Sequence, residues 1–207
     1  MDSVTPIPVA IFGKDPKIAR IVSEKLLPDF DTVHVCLDLP SALAELPALF
    51  SPSGPPPPAP ASGLGANAYT PDPAKRRAKV PRAVFFGGGF TDDEYNAVVD
   101  AVQKVTTTTA AAATANAGEE RGGIDSVKRQ HQQQHHQQQQ QQQMQQVVHF
   151  IKVQKRDVLA AGGLGPNPDV ICRVFRKKMA AALDRDRDRA GEQQQQRRLV
   201  RRHMSGS

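Results

Sequence analysis

Apolar residues recur in short runs, each followed by a helix-type pattern, and this alternation predicts a series of β-α units. The first unit opens with residues 9–12, a β-rich run with the length of a buried strand. Gly13 follows as a turn residue, and Asp15 with Pro16 is typical of a helix N-cap and its first position. Apolar residues then recur every three or four positions as far as Leu26, so one helix face can lie on a sheet.

A second unit with the same plan follows directly. Residues 31–37 are rich in β-branched side chains and predict a strand, whose alternation places His34 and Cys36 on the face opposite the neighbouring valines. We expect His34 to be a packed or surface histidine. A short helix is predicted over residues 39–50, although Pro47 interrupts its pattern.

Two further units complete the pattern. Residues 82–86 predict a third strand, and the pair Thr91 and Glu94 forms a capping box at the start of the next helix. A fourth strand is predicted over residues 147–153. A last helix follows over residues 167–183, where a cap and a proline again mark the beginning.

Segments of different composition separate these units. Residues 51–81 are rich in proline, alanine and glycine, with nothing apolar enough to pack, which indicates a linker or surface insertion. Residues 106–146 form a low-complexity insertion with an Ala-rich run and a Gln/His tract. Residues 184–207 predict a disordered basic tail. The folded domain is therefore assigned to residues 1–50, 82–105 and 147–183.

Alternating strands and helices with short turns predict parallel strands joined by right-handed crossovers. We therefore expect an α/β protein, a small three-layer Rossmann-like parallel sheet of about four strands. Aromatic residues make up only 5% of the chain and tryptophan is absent. The core is accordingly predicted to consist of Val, Ile, Leu and Ala.

The charge distribution and the two cysteines indicate the kind of partner and the cellular compartment of the protein. The formal charge is +6, and residues 106–207 carry 17 Lys and Arg against 9 Asp and Glu. This distribution predicts a solvated basic end that binds a non-specific acidic partner. The chain lacks the motifs of a nucleic-acid-binding module, which argues against specific binding to DNA or RNA.

Cys36 and Cys172 lie in apolar segments, which favours buried free thiols in a reducing compartment. No apolar run is long enough to cross a membrane.

These features predict a cytoplasmic protein without a membrane partner. The basic residues 75–79 leave a nuclear location as an alternative, although a solvated charge run is the favoured interpretation.

Candidate binding residues cluster at the predicted carboxyl ends of the strands, where sheets of this class bind ligands. They are glycine and charged residues: Gly13, Lys14, Asp38, Gly87, Gly88 and Gly89. A small molecule or a protein partner is expected there, and NAD(P) is the cofactor to consider.

The first turn matches a dinucleotide-binding motif only in part. Gly13 follows a strand and Asp38 ends the next strand, where a ribose-binding acid would lie. However, Asp15 and Ile18 occupy the second and third glycine positions of the G-x-G-x-x-G pattern. Because a carboxylate at a helix N-terminus competes with phosphate for the same N–H groups, a turn glycine followed by a cap is the favoured interpretation.

The glycine run and the histidines give weaker evidence for a binding or catalytic site. The three consecutive glycines could cradle a phosphate through their amides, but three acidic residues follow in the first turn of the helix, which disfavours an anion. Histidines of the Gln tract offer no fixed geometry, so no metal site is predicted; they are His131, His135 and His136. No catalytic combination of side chains can be assembled from the strand ends.

Three segments of the chain resemble a group of small filamentous-fungal proteins with a Rossmann-like, NAD(P)-binding-type fold and no assigned reaction. They are PVAIFGKDPKIARIVSEKLLPDFDTVHV, LAELPALF and PRAVFFGGGFTDDEYNAVVDAV. The resemblance covers roughly half of the chain and implies turn glycines at Gly13 and at residues 87–89. It also implies a fungal source, while the reaction stays open.

Taken together, the sequence predicts an accessory or ligand-binding protein of fungal metabolism without catalysis by itself. The alternative is an NAD(P)-dependent oxidoreductase with a degenerate dinucleotide-binding turn.

Overall fold

The computed structural model describes residues 5–51, 58–69, 78–115, 148–163, 165 and 167–204. The strands in this part of the chain are β1 (Ile7–Phe12), β2 (Phe30–Cys36), β3 (Ala83–Phe86) and β4 (His149–Lys152). The helices are α1 (Pro16–Leu26), α2 (Leu39–Leu49), α3 (Asp92–Ala115), α4 (Lys155–Ala160) and α5 (Pro168–Met204), with a 3-10 turn at Ala66–Tyr69.

The strands form one parallel sheet in the order β2-β1-β3-β4. The chain leaves β1 to build β2 on one side and then crosses to the other side for β3 and β4. The strand order therefore reverses between β1 and β3, which is the topological switch point of the sheet. The predicted small three-layer α/β fold with about four parallel strands is confirmed.

Helices cover both faces of the sheet, and each face has its own apolar core. Helices α1, α4 and α5 cover the first face, where Phe175 of α5 packs on Phe30 and Phe85 with ring centroids 5.1 and 4.7 Å away. Helices α2 and α3 cover the second face, which receives Phe12 and Phe86. Alternation along the strands sends neighbouring residues to opposite cores.

A bulge in β2 sets which residues face which helix. Val9 pairs with Thr32 and Ala10 pairs with His34, so β2 contains one extra residue at this point. Downstream of the bulge, Val35 packs in the first core and Cys36 in the second. The predicted separation of Cys36 from the valine face is confirmed.

Two of the next three helices differ from the prediction, whereas α2 keeps its predicted bounds despite an internal proline. Helix α2 continues through Pro47, which lies in the last turn, where its missing N–H costs one intrahelical hydrogen bond. Helix α3 runs past residue 105 to Ala115, because alanine favours helix and the Thr106 and Thr107 hydroxyls bond to the Gln103 carbonyl. Helix α4 was not predicted.

The largest difference lies in the last helix. Residues 184–204, predicted as a disordered tail, continue α5 to Met204. Alanine, arginine and glutamine favour helix, and no proline interrupts the run. Asp186 Oδ2 also lies 2.8 Å from His149 Nε2 of β4, so the extension contacts the sheet, although the two atoms lack hydrogen-bond geometry.

Part of the predicted linker packs on the sheet. The Ser62 hydroxyl donates to the Val35 carbonyl at 2.6 Å, and the Asn67 side chain exchanges hydrogen bonds with the Lys79 backbone at 3.0 and 3.2 Å. Pro60 and Asn67 are buried. The expectation that nothing in residues 51–81 could pack is wrong, because Leu64 packs against the first core and Ala78 against the second, and small residues and backbone groups add the hydrogen bonds.

Other expectations fall on residues that the structure does not describe. These include most of the polyproline run, most of the basic residues 75–79 and the Gln/His tract. Among the described helices, none is both long and apolar enough to cross a membrane.

Candidate functional site

The carboxyl ends of β1 and β3 border a cavity of about 580 Å³ at the topological switch point. Its other walls are the first turns of α1, the short helix α4 and the loop that leads to α5. The lining is mainly apolar side chains and glycines: Ile11, Gly13, Ile18, Ala19, Val22, Phe85, Gly87, Gly88, Gly89, Val153, Val158, Leu159, Gly163, Gly165 and Ile171. Its polar lining residues are Lys14, Asp15, Gln154 and Lys155.

The structure brings five of the six predicted binding residues to this cavity. Lys14 and the glycines at positions 13 and 87–89 line it, whereas Asp38 does not. Asp38 caps α2 instead, since its Oδ1 accepts the Ser41 N–H at 2.8 Å. The structure therefore gives Asp38 a local role in starting a helix.

Asp15 has the equivalent role at the start of α1. Its Oδ1 accepts the N–H groups of Lys17 at 2.8 Å and Ile18 at 3.2 Å, and Pro16 occupies the first helical position. The predicted N-cap is confirmed. These N–H groups would otherwise be available to a phosphate, so the cap removes the main anion-binding feature of the turn.

The turn glycines also use their amides within the protein. Gly13 N–H donates to the Cys36 carbonyl at 3.0 Å, and Gly87 N–H donates to the Phe12 carbonyl at 2.9 Å. Both bonds extend the sheet by one residue. Gly89 has φ near +100°, a conformation that favours glycine over any other residue. Glycine is thus required here by the turn itself.

The two lysines at the cavity differ in their surroundings. Lys14 Nζ lies 3.1 Å from Glu94 Oε1 and 4.9 Å from the centre of the Phe90 ring. Glu94 also accepts the Thr91 N–H, and this hydrogen bond, followed by Lys14, lowers the pKa of the carboxyl group. By contrast, no ion pair joins Lys155 to another residue within the described ranges. Lys155 is therefore the cation available to a bound anion.

A second polar group lies on the opposite face of the sheet. His34 Nε2 is 2.7 Å from Glu45 Oε2, and the Cys36 thiol donates to the same oxygen at 3.6 Å. The other oxygen, Oε1, accepts the Ala61 N–H at 3.1 Å. Only 0%, 1% and 5% of His34, Cys36 and Glu45 is exposed. We call these three side chains the buried cluster.

Burial controls the protonation of the cluster. It raises the pKa of the Cys36 thiol, and the nearby Glu45 carboxylate raises it further. It lowers the pKa of His34, an effect that the hydrogen bond to Glu45 opposes. His34 Nδ1 has no hydrogen-bond partner in the described part of the chain. Cys36 is consequently a thiol rather than a thiolate, and it does not line the cavity at the switch point.

Sequence reasoning missed Glu45, Gln154 and Lys155. Glu45 had a usable signal, because it occupies the apolar face of α2 between Ala42 and Leu49. A carboxylate at such a position must find partners inside the protein. Lys155 belongs to a short helix that has no distinctive pattern in the sequence.

The fold and the cavity define a small doubly wound α/β protein with an apolar cavity at its switch point. No family model and no solved structure matches the chain. A curated relative is Kojic acid related protein 6 from Aspergillus oryzae (strain ATCC 42149 / RIB 40), which is 27% identical over 97 residues. The aligned part is 47% of this chain and 51% of that protein, so the chain spans about half the length of the curated relative it matches. The chain thus has a distant fungal relative.

Proposed function

We propose that the protein is an accessory small-molecule-binding protein of fungal metabolism that performs no chemistry by itself. The observation that carries this proposal is the cavity of about 580 Å³ at the switch point. Its volume lies in the range of ligand sites, and its position is where sheets of this class bind small molecules. The distant fungal relative supports the metabolic setting.

The lining favours one class of ligand. Ile18, Val158 and Leu159 offer apolar walls, which favour a compact and mostly apolar body. Lys155 supplies a positive charge at the same cavity, whereas Lys14 is already paired with Glu94. The expected ligand is therefore a small ring compound or acyl compound with one anionic group, bound near Lys155.

An NAD(P)-dependent oxidoreductase is the alternative. It requires a pyrophosphate at the turn of Gly13, where the Asp15 carboxylate holds the first-turn N–H groups of α1. It also requires a ribose near Asp38, which caps α2 and does not line the cavity. Both observations favour the accessory binding role.

Calorimetry and thermal shift with one ligand panel test the proposal. The panel contains kojic acid, because the relative's name refers to it, together with small aromatic carboxylates, NADH, NADPH and FMN. A ligand present at a hundred times its dissociation constant stabilises the fold by about 2.7 kcal/mol. We expect stabilisation by at least one small aromatic compound and none by the dinucleotides. Stabilisation by NADH or NADPH alone would favour the oxidoreductase.

Paired variants on α1 locate the binding. Ile18 lines the cavity, whereas Ile21 lies on the same helix, is 37% exposed and does not line it. Ile18→Trp fills part of the cavity and should abolish binding of the small aromatic ligand, while Ile21→Trp should bind it normally. Equal binding by both variants would place the ligand elsewhere and refute the proposal.

The basic end of the chain is expected to bind a different partner from the one in the cavity. An acidic partner for residues 184–207 remains a prediction, and the helix α5 provides its scaffold as far as Met204. Such binding should be weak, independent of sequence and steeply dependent on salt.

A further inference from the structure

The buried cluster of His34, Cys36 and Glu45 contains the ligand types of a zinc site. Its nitrogen, sulfur and oxygen donor atoms all lie within 4.8 Å of one another. Imidazole, thiolate and carboxylate are the side-chain groups that bind Zn²⁺ in proteins. We infer that the protein binds one Zn²⁺ ion through His34, Cys36 and Glu45.

One separation between donor atoms matches this ion, a second requires a movement, and the third, between the His34 nitrogen and Cys36 Sγ, is within 4.8 Å. Tetrahedral Zn²⁺ separates a thiolate sulfur from a carboxylate oxygen by about 3.6 Å, and an imidazole nitrogen from that oxygen by about 3.4 Å. Cys36 Sγ and Glu45 Oε2 are 3.6 Å apart. His34 Nε2 is 2.7 Å from the same oxygen, so it must move by about 0.7 Å on this ligand geometry. This movement breaks the hydrogen bond between His34 and Glu45 and allows both side chains to bind the ion.

The charges also match. A Cys36 thiolate and a Glu45 carboxylate together carry two negative charges, which a divalent cation neutralises, while His34 binds in its neutral form. Without the ion, a carboxylate in a nearly fully buried position depends on three hydrogen bonds alone. Burial of a charge is costly unless it is paired or coordinates a metal.

The scaffold holds the three ligands in place. His34 and Cys36 are two residues apart on β2, downstream of its bulge, and both side chains reach Glu45 of α2. The Ala61 N–H fixes the second carboxylate oxygen, as hydrogen bonds commonly do for metal-binding carboxylates.

The segment that contains Ala61 closes the cluster from solvent. Gly65 lies so near the Val33 carbonyl that an added Cβ would be 2.7 Å from it. Metal uptake therefore accompanies folding or opening of this segment, and Zn²⁺ should stabilise the folded chain.

Zinc binding involves one proton. The Cys36 S–H bond breaks, the sulfur forms a bond to Zn²⁺, and the proton passes to the buffer, while the proton between His34 Nε2 and Glu45 Oε2 moves to His34 Nδ1, which has no partner among the described residues. No electron is transferred. One proton should accordingly be released for each ion bound near neutral pH.

The experiment uses the reduced full-length chain after treatment with a chelator. Zn²⁺ is titrated in competition with a chromogenic chelator, and Co²⁺ is titrated as a spectroscopic probe for thiolate ligation. We expect one ion per chain, a thiolate-to-cobalt charge-transfer band, and a higher melting temperature with Zn²⁺. Cys36→Ser should remove the band and weaken Zn²⁺ binding by more than about 100-fold, beyond the usual loss for an outer-shell residue.

Two controls separate this site from other donors. Cys172→Ser removes the other cysteine, which is buried on α5 and belongs to no metal-ligand group in the described residues. A triple variant replaces the histidines of the Gln tract: His131→Gln, His135→Gln and His136→Gln. Both controls should keep the cobalt band and the Zn²⁺ affinity. Loss of the band in Cys172→Ser, or wild-type Zn²⁺ affinity in Cys36→Ser, would overturn the inference.

A further measurement covers the case in which Cys36→Ser does not fold. In the Cys172→Ser protein, Cys36 is the remaining thiol, and its alkylation under mildly destabilising conditions reports opening of the cluster. Stoichiometric Zn²⁺ should slow the alkylation at least tenfold, and Mg²⁺ should not. Equal rates with and without Zn²⁺ would show that the cluster is held by hydrogen bonds alone.

Discussion

The cavity and the buried cluster lie on opposite faces of the same sheet and arrange their polar groups in opposite ways. The cavity has apolar walls, and its lysines reach solvent. The cluster has a polar centre that α2 and the segment containing Ala61 close from water. The cavity can therefore exchange a ligand with solvent, whereas the cluster must satisfy its groups permanently within the protein.

This difference shows how one sheet supports two kinds of chemistry. At the cavity, the residues that follow β1 and β3 are glycines, and because glycine has no side chain they leave space at the switch point. At the cluster, edge strand β2 receives a covering segment that buries His34 completely. Variants of the cluster should consequently affect stability more strongly than variants around the cavity.

The largest expected effect is at Glu45. Glu45→Ala leaves His34 and the Ala61 N–H without their shared partner, and it should cost about 3 kcal/mol, since each buried unsatisfied group costs about 1–3 kcal/mol. Urea denaturation in the presence of a chelator measures this loss without metal. The exposed Glu24→Ala on α1 should stay within about 0.5 kcal/mol of wild type. Similar losses for both variants would contradict the role of the cluster.

A smaller effect is expected in the segment that covers the cluster. Gly65 and Gly63 both have positive φ, at 100° and 67°, but an added Cβ at Gly65 meets the Val33 carbonyl at 2.7 Å and at Gly63 meets nothing within 4 Å. Gly63→Ala should cost about 1 kcal/mol for its backbone conformation alone. Gly65→Ala should cost about 1 to 2 kcal/mol more, because the backbone must also shift. Equal unfolding free energies for Gly63→Ala and Gly65→Ala would mean that the segment does not pack closely against β2.

The cap of α1, beside the cavity, should have a still smaller effect. Asp15→Ala should cost about 1 kcal/mol, because the N–H groups of Lys17 and Ile18 lose their acceptor, while Asp15→Gly should cost only a few tenths. Thermal unfolding compares the two. Calorimetry with NADH on the same variants decides a separate question: a large gain in affinity for Asp15→Gly would favour the dinucleotide alternative.

The smallest effect concerns the helix α4, which forms one wall of the cavity. The Lys178 ammonium lies 2.6 Å from Asp157 and, as the main cause, lowers the pKa of that carboxyl group in the folded protein. Because the folded pKa is below the unfolded value, the stabilisation is present above about pH 4 and is lost as the pH falls through the folded pKa.

Asp157→Asn tests this pH dependence. The variant should lose less than about 1 kcal/mol at pH 7, since the ion pair is partly exposed, and the difference from wild type should shrink below pH 4. Urea unfolding at a series of pH values measures it, with the exposed Asp100→Asn as the control. A difference that grows as the pH falls would mean that the pKa of Asp157 is raised.

The β-α units were predictable because their signals are local. Asp15 with Pro16, and Thr91 with Glu94, each define a helix start within four residues, and apolar spacing defines the buried face. Parallel strands then follow from alternation of strand and helix. The class of fold and most of the cavity-lining turn residues could therefore be predicted from the sequence.

The extent of the helices was less predictable. Composition marked residues 184–207 as a tail, yet favourable helix propensity and the contact of Asp186 with His149 extend α5. The contact joins positions far apart in the chain, so no window of sequence contains it.

The contacts within the buried cluster were decided by the tertiary structure. A bulge in β2 fixes the face of His34 and Cys36, α2 brings Glu45 to that face, and a segment of small residues closes over all three. The sequence determines that a carboxylate lies on the apolar face of a helix, but not which partners it finds. Those partners depend on strand register and on how a surface segment packs, and both are set by the lowest free energy of the whole fold rather than by neighbouring residues.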